Sequence, residues 1–136
     1  MLVVDASVVA ELLLARPAAA EVERQMAAHG LELHAPELLD VEVLSALRRL
    51  ARSGDASADR ADGAVTDLLD LPIERYPHEA LVPRIWALRH NFSAYDATYL
   101  ALAEALADDG APLLTADTRF ARAIKTHSGV DVLLVA

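Results

Sequence analysis

Short apolar runs alternate with longer helical segments along this chain, and that alternation constrains the fold more than any single motif does. Leu2–Val4 and Leu133–Val135 are wholly apolar, which is typical of parallel strands that are covered on both faces. Segments with helical periodicity and helix-end signals separate such runs. The pattern predicts a three-layer α/β/α fold with a short, mostly parallel central sheet.

The individual elements are predicted from the same periodicity and from the positions of proline and glycine. Pro17 breaks the first helix, Gly30 closes the second, and Gly54 follows the third. The predicted strands are Leu2–Val4, Leu31–His34, Ile73–Tyr76, Leu113–Thr115 and Val132–Val135. The predicted helices are Ala6–Leu14, Ala18–His29, Pro36–Arg52, Ser57–Leu71, His78–Arg89, Ala94–Ala107 and Thr118–Thr126.

Length and composition fit one domain, predicted to cover residues 1–136. Of these 136 residues, 54% are hydrophobic, enough for a substantial core. The chain has no cysteine, which excludes disulfides, thiolate metal sites and cysteine nucleophiles. No basic region precedes the first apolar run, and no apolar stretch approaches the roughly 20 residues of a membrane span. We therefore expect a cytoplasmic protein without a signal peptide.

The net charge of −9, from 12 basic and 21 acidic residues, argues against a simple nucleic-acid-binding module. The bulk of such a surface repels phosphates. An enzyme whose metal ions neutralise part of an acidic site is still compatible with this charge. The clustered basic residues have helical spacing and are interpreted as solvated helix faces. They are Arg48, Arg49, Arg52, Arg119, Arg122 and Lys125.

Asp5 and Asp117 stand at the ends of two predicted strands, and each precedes a predicted helix. Ligands of open α/β sheets bind at the carboxyl ends of the strands, so both residues are candidates for a binding site. The alternative is that each aspartate simply caps its helix, since aspartate is a favoured N-cap residue. Taken singly, capping explains either residue better.

Asp96 and Glu42 lie on predicted helices beside apolar faces. Asp96 shares a helical face with Tyr99, which directs the carboxylate inward, although Ser93 to Asp96 also has the spacing of a capping box. Glu42 lies one position from the apolar stripe of its helix and is equally well explained as a charge at the core boundary. Asp40 is an alternative to Glu42 at this place.

Considered together, the four carboxylates Asp5, Glu42, Asp96 and Asp117 predict one metal site. An isolated buried carboxylate is unfavourable, but a cation can hold several together, and hard oxygen ligands favour Mg²⁺ or Mn²⁺. Two such ions about 3.5–4 Å apart can activate water against a phosphodiester. The five histidines form no HxH or HExxH pattern, which argues against zinc.

Two hydroxyl residues stand next to these carboxylates in the sequence. Ser7 follows Asp5 by two positions, and Thr115 precedes Asp117 by two. Hydroxyls so placed can orient carboxylates or a metal-bound water. The chain has no P-loop, GxGxxG or GxSxG motif, so the acidic set and its hydroxyls carry the chemical signal.

Four segments containing these residues resemble motifs of the PIN-domain nucleases, most closely those of the bacterial VapC toxin branch. The segments occur in the family's order and span the chain from Asp5 to Asp117. The family's acidic quartet maps onto the four carboxylates, its small hydroxyl position onto Thr115, and its first-motif serine onto Ser7. The segments are Val3-Val4-Asp5-Ala6-Ser7, Pro36-Glu37-Leu38 followed by Glu42-Val43, Ser93-Ala94-Tyr95-Asp96-Ala97-Thr98-Tyr99, and Leu114-Thr115-Ala116-Asp117.

This resemblance implies a PIN-like fold and a Mg²⁺- or Mn²⁺-dependent endoribonuclease that cuts structured RNA, such as tRNA or ribosomal RNA, and arrests translation. It implies a homodimer within a type II toxin–antitoxin module, neutralised by a VapB-type antitoxin whose C-terminal segment crosses the active site. We expect a basic antitoxin side chain to pair with the acidic pocket. Dimerisation is also expected to bring two acidic sites and their flanking arginines into one RNA-binding groove.

A phosphatase or phosphotransfer domain is also compatible with aspartates at the strand ends of an α/β fold. A haloacid-dehalogenase-like phosphatase needs a second aspartate two residues after Asp5, where Ser7 stands. A receiver domain needs paired acids early and a lysine after a late strand, but the only lysine, Lys125, is in a predicted helix. A catalytically silent PIN-fold binding partner is the other alternative, and the intact acidic set argues against it.

Overall fold

One parallel sheet forms the centre of the molecule. The structure is a computed structural model that describes residues 1–108 and 110–136. The strands are β1 (Leu2–Val4), β2 (Leu33–Pro36), β3 (Ile73–Tyr76), β4 (Leu113–Thr115) and β5 (Val132–Leu134). They lie in the order β3-β2-β1-β4-β5, and all four neighbouring pairs are parallel. The sheet predicted to be mostly parallel is thus parallel throughout its described strands.

Helices cover both faces of this sheet. They are α1 (Ala6–Leu13), α2 (Ala19–Ala28), α3 (Leu38–Ser53), α4 (Ala58–Asp70), α5 (Val82–Ala87), α6 (Ala94–Leu106) and α7 (Thr118–His127). α1 packs against α2 and α3, whereas α6 packs against the three strands β2, β1 and β4. With this strand order, the right-handed crossovers that parallel strands adopt place α1 to α4 on one face and α5 to α7 on the other. The predicted three-layer α/β/α arrangement is confirmed.

The core lies between the sheet and its helices. All three residues of β1 are fully buried, which explains why that strand is continuously apolar. Leu39, Val43 and Leu47 of the predicted α3 stripe are buried as well, and Leu50 is partly buried. In the part of the chain that the structure describes, no helix is long and apolar enough to cross a membrane.

The second strand begins later than predicted and includes the proline that was expected to open α3. Leu31 has a φ of 56°, and its N–H donates to the carbonyl of Met26 at 3.0 Å, so the turn that closes α2 extends to this residue. Pro36 instead ends β2. Because Leu2 of β1 pairs with Leu33 and β1 ends at Val4, no residue of β1 lies opposite Pro36. The N–H that a proline lacks therefore removes no hydrogen bond between β1 and β2.

The predicted helix His78–Arg89 is also shorter in the structure. Glu79–Leu81 forms a 3₁₀ turn, and α5 follows with Pro83 in its first turn. A proline ring clashes with the carbonyl four residues earlier, so a continuous α-helix from His78 through Pro83 is not available to this sequence. The helix prediction was therefore wrong over the first turn.

The sheet order creates a topological switch point between β1 and β4. The chain leaves β1 to build β2 and β3 on one side and later returns to build β4 and β5 on the other. Crevices for ligands form at the carboxyl ends of the strands at such a point. Asp5 directly follows β1, and Asp117 lies two residues beyond the end of β4. The topology therefore brings these two aspartates to one place.

Candidate active site

The buried carboxylate of Asp5 lies at the switch point. Asp5 caps α1, with Oδ1 accepting the N–H of Ser7 at 2.9 Å and that of Val8 at 3.4 Å. The Ser7 hydroxyl also donates to Oδ1, and the Thr115 hydroxyl donates to Oδ2 at 2.5 Å. Burial raises the pKa of Asp5 to about 6, even though these hydrogen bonds act to lower it. The local fold thus holds a carboxylate where its charge is costly.

Ser7 and Thr115 link the ends of β1 and β4. Their hydroxyl oxygens lie 3.4 Å apart. The Ser7 Oγ accepts the N–H of Ala116 at 2.9 Å, and the Thr115 Oγ1 accepts the N–H of Asp117 at 3.0 Å. Both hydroxyls contact Asp5 as well, so they fix its carboxylate relative to the loop that carries Asp117.

Asp117 is exposed and caps α7. Its Oδ1 accepts the N–H of Arg119 at 2.9 Å and that of Phe120 at 3.2 Å. No hydrogen bond from the described residues reaches its Oδ2. Asp117 also lines two clefts. Capping and site formation are thus compatible in this residue, because the cap occupies only one of its two oxygens.

Asp96 is half-buried in the first turn of α6. Its N–H donates to the Ser93 Oγ at 3.1 Å, as the capping-box spacing predicts. Within residues 1–108 and 110–136, no return bond runs from the Ser93 N–H to the Asp96 carboxylate. Burial and, after it, the charges of the other three carboxylates raise the pKa of Asp96 to about 6, although Arg119 acts to lower it. The four predicted carboxylates are therefore within electrostatic reach of one another.

The structure separates Glu42 from Asp40. Glu42 is half-buried and lines the same cleft as Ser7 and Asp117. The Asp40 carboxylate instead accepts two hydrogen bonds from the Arg75 guanidinium, at 2.7 and 2.9 Å. Arg75 comes from β3, at the edge of the sheet. A bidentate arginine occupies both oxygens of Asp40, so Glu42 is the acidic side chain of α3 that faces the site.

Three adjoining clefts surround the carboxylates. One of about 430 Å³ contains Glu42 and Asp117, and one of about 370 Å³ contains Asp96 and Asp117. A third, of about 410 Å³, shares Glu42 and Arg49 with the first. Arg49 and Arg119 are exposed, as we expect of residues on solvated helix faces. They also line these clefts. The acidic centre is therefore flanked by positive charge on two sides.

The donor set fits a hard divalent cation. Its polar atoms are carboxylate and hydroxyl oxygens, the ligands that suit Mg²⁺ and Mn²⁺. The neighbouring carboxylates that help burial to raise the pKa of Asp96 mark a place where positive charge is favourable. Among the side chains that the structure describes, no three carboxylates or histidines are close enough to enclose an ion together. Mg²⁺ does not need three protein ligands, because it usually binds through one or two carboxylates and keeps several waters.

The raised pKa of Asp5 predicts a specific pH dependence of stability. Between about pH 4 and 6 the folded state retains a proton that the unfolded state releases, so the free energy of unfolding falls as the pH rises through this window. The contribution of Asp5 is about 3 kcal/mol at most. Urea unfolding in EDTA should show Asp5→Asn gaining stability relative to wild type from pH 4 to 6. A constant difference across this range would contradict the prediction.

Two features of the site were missed by the sequence analysis. The pairing of Arg75 with Asp40 joins residues 35 positions apart on different elements, and nothing in the local sequence marks it. The place of Arg119 beside Asp96 depends on how α7 packs against β4 and β5, although its position two residues after Asp117 was an available signal.

The sequence matches proteins of known family over most of its length. The family model of the PIN domain matches residues 2–125. Ribonuclease VapC1 of Mycobacterium tuberculosis is 44% identical over 122 residues, which are 89% of this chain and 89% of that protein. Ribonuclease VapC12 of the same organism is 38% identical over 133 residues, which are 98% of this chain and 99% of that protein.

Solved structures share the fold. The crystal structure of Mycobacterium tuberculosis VapC20, a toxin that cleaves the sarcin–ricin loop, superposes with a TM-score of 0.67 at 20% identity and covers 90% of this chain and 95% of that one. The crystal structure of PAE2754 from Pyrobaculum aerophilum gives a TM-score of 0.65 at 23% identity, covering 96% and 82%. At these identities the likeness concerns the fold alone.

Proposed function

The chain belongs to the PIN-domain family, in its branch of VapC ribonuclease toxins, and we propose that it is a Mg²⁺- or Mn²⁺-dependent endoribonuclease that hydrolyses RNA phosphodiesters. The observation that carries the proposal is the gathering of four carboxylates at the switch point, where burial and then the charges of the other three raise the pKa of Asp96. A soluble domain gains nothing in stability from such repulsion. Strongly perturbed carboxylates in a cleft are characteristic of functional sites.

Each predicted site residue has a role in this proposal. Asp5, Glu42, Asp96 and Asp117 would hold the divalent ion, some directly and the others through its waters. The ion when bound supplies a water of lowered pKa and neutralises charge developing on the phosphate. Ser7 and Thr115 keep the Asp5 carboxylate oriented through hydrogen bonds to both of its oxygens. These hydroxyls act on a ligand and not on the RNA itself, which is how outer groups tune a metal site.

The flanking arginines support RNA as the substrate. Arg49 and Arg119 line clefts on different sides of the carboxylates, where guanidinium groups can contact phosphates next to the one that is cut. Such local contacts answer the objection raised by the net charge of −9, because screening limits the repulsion from distant acidic residues at physiological salt. We propose structured RNA, tRNA or ribosomal RNA, as the target.

The proposed biological setting is a type II toxin–antitoxin module in the cytoplasm. A VapB-like antitoxin would neutralise this chain, with a basic side chain paired to the acidic pocket. We also propose that the protein is a homodimer. The curated relatives are named VapC ribonucleases, and this naming supports the antitoxin partner and the RNA substrate.

The proposed activity is tested by mapping RNA ends produced by the purified, antitoxin-free protein. With Mg²⁺ or Mn²⁺ we expect a small set of new ends in tRNA or ribosomal RNA, and none in EDTA. Attack by an activated water leaves no 2′,3′-cyclic phosphate, whereas attack by the neighbouring 2′-hydroxyl does, so the chemistry of the new ends checks the mechanism. Absence of cleavage with either ion would favour the catalytically silent binding partner.

Separate substitutions of Glu42 and Asp40 test which acidic residue of α3 belongs to the active site. Glu42→Gln should lower the cleavage rate on the order of a hundredfold, since it removes a charge from the site. Asp40→Asn should change the rate by less than about twofold but lower the free energy of unfolding by about 1 kcal/mol, because it weakens the pair with Arg75. The two variants serve as controls for each other in one assay of rate and urea unfolding. The reverse pattern would replace Glu42 by Asp40 in the site.

A further inference from the structure

The hydroxyl of Tyr99 is buried and has no hydrogen-bond partner in the described part of the chain. The side chain is 2% exposed, so bulk water does not reach the hydroxyl either. Buried hydroxyls are nearly always hydrogen-bonded, because leaving one unpaired is costly. Tyr99 lies three residues after Asp96 on α6, and the two side chains therefore share a helix face. The unpaired group is thus next to the proposed active site.

The surroundings of this hydroxyl are acidic. Burial raises the pKa of Tyr99 far above its ordinary value, the adjacent Glu42 carboxylate raises it further, and so does the charge of Asp5. The backbone of Ala6 acts in the opposite direction. The phenol therefore keeps its proton and can donate it to a carboxylate. In the present side-chain arrangement no hydrogen bond of ordinary geometry joins Tyr99 to Glu42.

The other two tyrosines of the chain make the contrast clear. The Tyr76 hydroxyl lies 2.6 Å from the His34 Nδ1, and Tyr95 is exposed to solvent. Glu42, for its part, accepts no hydrogen bond of ordinary geometry from the residues that the structure describes, whereas Asp5 and Asp117 are both fixed by helix caps. An unfixed carboxylate and an unpaired donor therefore lie side by side.

We propose that Tyr99 is a positioning residue whose hydroxyl donates to the Glu42 carboxylate and holds it toward Asp5 and Asp96. This inference rests on the proposed function, since it assigns Glu42 to the metal site. A carboxylate on a long, half-buried side chain otherwise keeps rotational freedom, and a hydrogen bond that holds it in the ligating orientation strengthens ion binding. Hydrogen bonds to ligating carboxylates commonly have this effect, and their loss weakens metal affinity or activity by about 10- to 100-fold.

The test is Tyr99→Phe, which removes only the hydroxyl, with Tyr76→Phe as the matched control. Titration calorimetry with Mn²⁺ should give a dissociation constant about tenfold higher for Tyr99→Phe than for wild type. The thermal midpoint in EDTA should not fall, because the Tyr99 hydroxyl makes no hydrogen bond of ordinary geometry within the described residues before an ion is bound. Tyr76→Phe should show the opposite pattern, a lower midpoint and unchanged Mn²⁺ affinity, because its hydroxyl pairs with His34 away from the site.

A double variant distinguishes positioning from a general packing effect. In a Glu42→Gln background, Tyr99→Phe should weaken Mn²⁺ binding no further, because the carboxylate it would position is gone; additive losses would overturn the proposal. Equal Mn²⁺ affinity of wild type and Tyr99→Phe would overturn it as well. If wild type itself neither binds Mn²⁺ nor cleaves RNA, the proposed function fails and the inference fails with it, an outcome that the wild-type titration identifies before any variant is compared.

Discussion

The Asp96→Asn variant should lose RNA cleavage on the order of a thousandfold and yet resist unfolding better than wild type. Asparagine keeps the size and shape of the side chain, so the fold is preserved, and the N-cap bond from the Asp96 N–H to Ser93 does not involve the carboxylate. What disappears is one of four negative charges that the site needs to hold a divalent ion.

The gain in stability follows from the position of the group. Burial and three neighbouring carboxylates raise the pKa of Asp96 to about 6, so at pH 7 the folded state carries a charge that would be more stable in water. Because the side chain is only half-buried, solvent screens much of this repulsion, and we expect a gain of about 1 kcal/mol. Urea unfolding in EDTA at pH 7 measures it.

Asp62→Asn is the control for Asp96→Asn. Asp62 lies on α4 and is exposed to solvent, so its substitution should change neither cleavage nor unfolding. Full cleavage by Asp96→Asn would remove Asp96 from the site. Lost cleavage together with lower stability would instead mean that the carboxylate holds the fold together, contrary to the role we assign it.

Much of the fold could be predicted because its strands are buried on both faces. Leu2–Val4 and Leu113–Thr115 were placed correctly, since a continuous apolar run between helix signals admits few other structures. The order of the strands was not predicted, because it depends on long-range pairing that leaves no local pattern. That order determines where the candidate site forms, since it places β1 beside β4 and so brings Asp5 and Asp117 together.

The errors came where backbone geometry outweighs hydrophobic pattern. Leu31 is apolar and was predicted to begin the second strand, but its left-handed backbone keeps it in the turn that closes α2. Pro36 is a frequent first residue of a helix, yet here it ends β2 because its strand extends beyond β1. Both cases need the neighbouring element to be known before the residue can be placed.

From the sequence, helix capping and metal binding were alternative roles for Asp5 and Asp117. The structure shows why these two roles were hard to separate. Each aspartate does cap its helix, and the same N–H bonds that satisfy the helix end fix the carboxylate at the switch point. Asp5 adds hydroxyl contacts to both of its oxygens. For Glu42 and Asp40 no local pattern could decide, because the deciding partner of Asp40 is Arg75 on β3.

Removing the metal should abolish cleavage, and restoring Mn²⁺ should recover it. If four carboxylates repel one another in the folded protein, a bound cation relieves the repulsion and stabilises the fold by its binding free energy, about 2.7 kcal/mol at an ion concentration 100 times the dissociation constant. For a chain of this length that corresponds to a rise in the thermal midpoint on the order of 10 °C. Scanning calorimetry with EDTA and with Mn²⁺ measures the shift alongside the cleavage assay.

The decisive comparison is between wild type and Asp96→Asn in both conditions. Substitution and cation relieve the same repulsion, so Mn²⁺ should raise the thermal midpoint of wild type far more than that of Asp96→Asn, and the order of stability should reverse between EDTA and Mn²⁺. A protein stabilised by these carboxylates in some other way would show equal shifts in both. Cleavage that persists in EDTA would refute the metal mechanism, and a Mn²⁺ shift of equal size in the two proteins would place the ion elsewhere on the molecule.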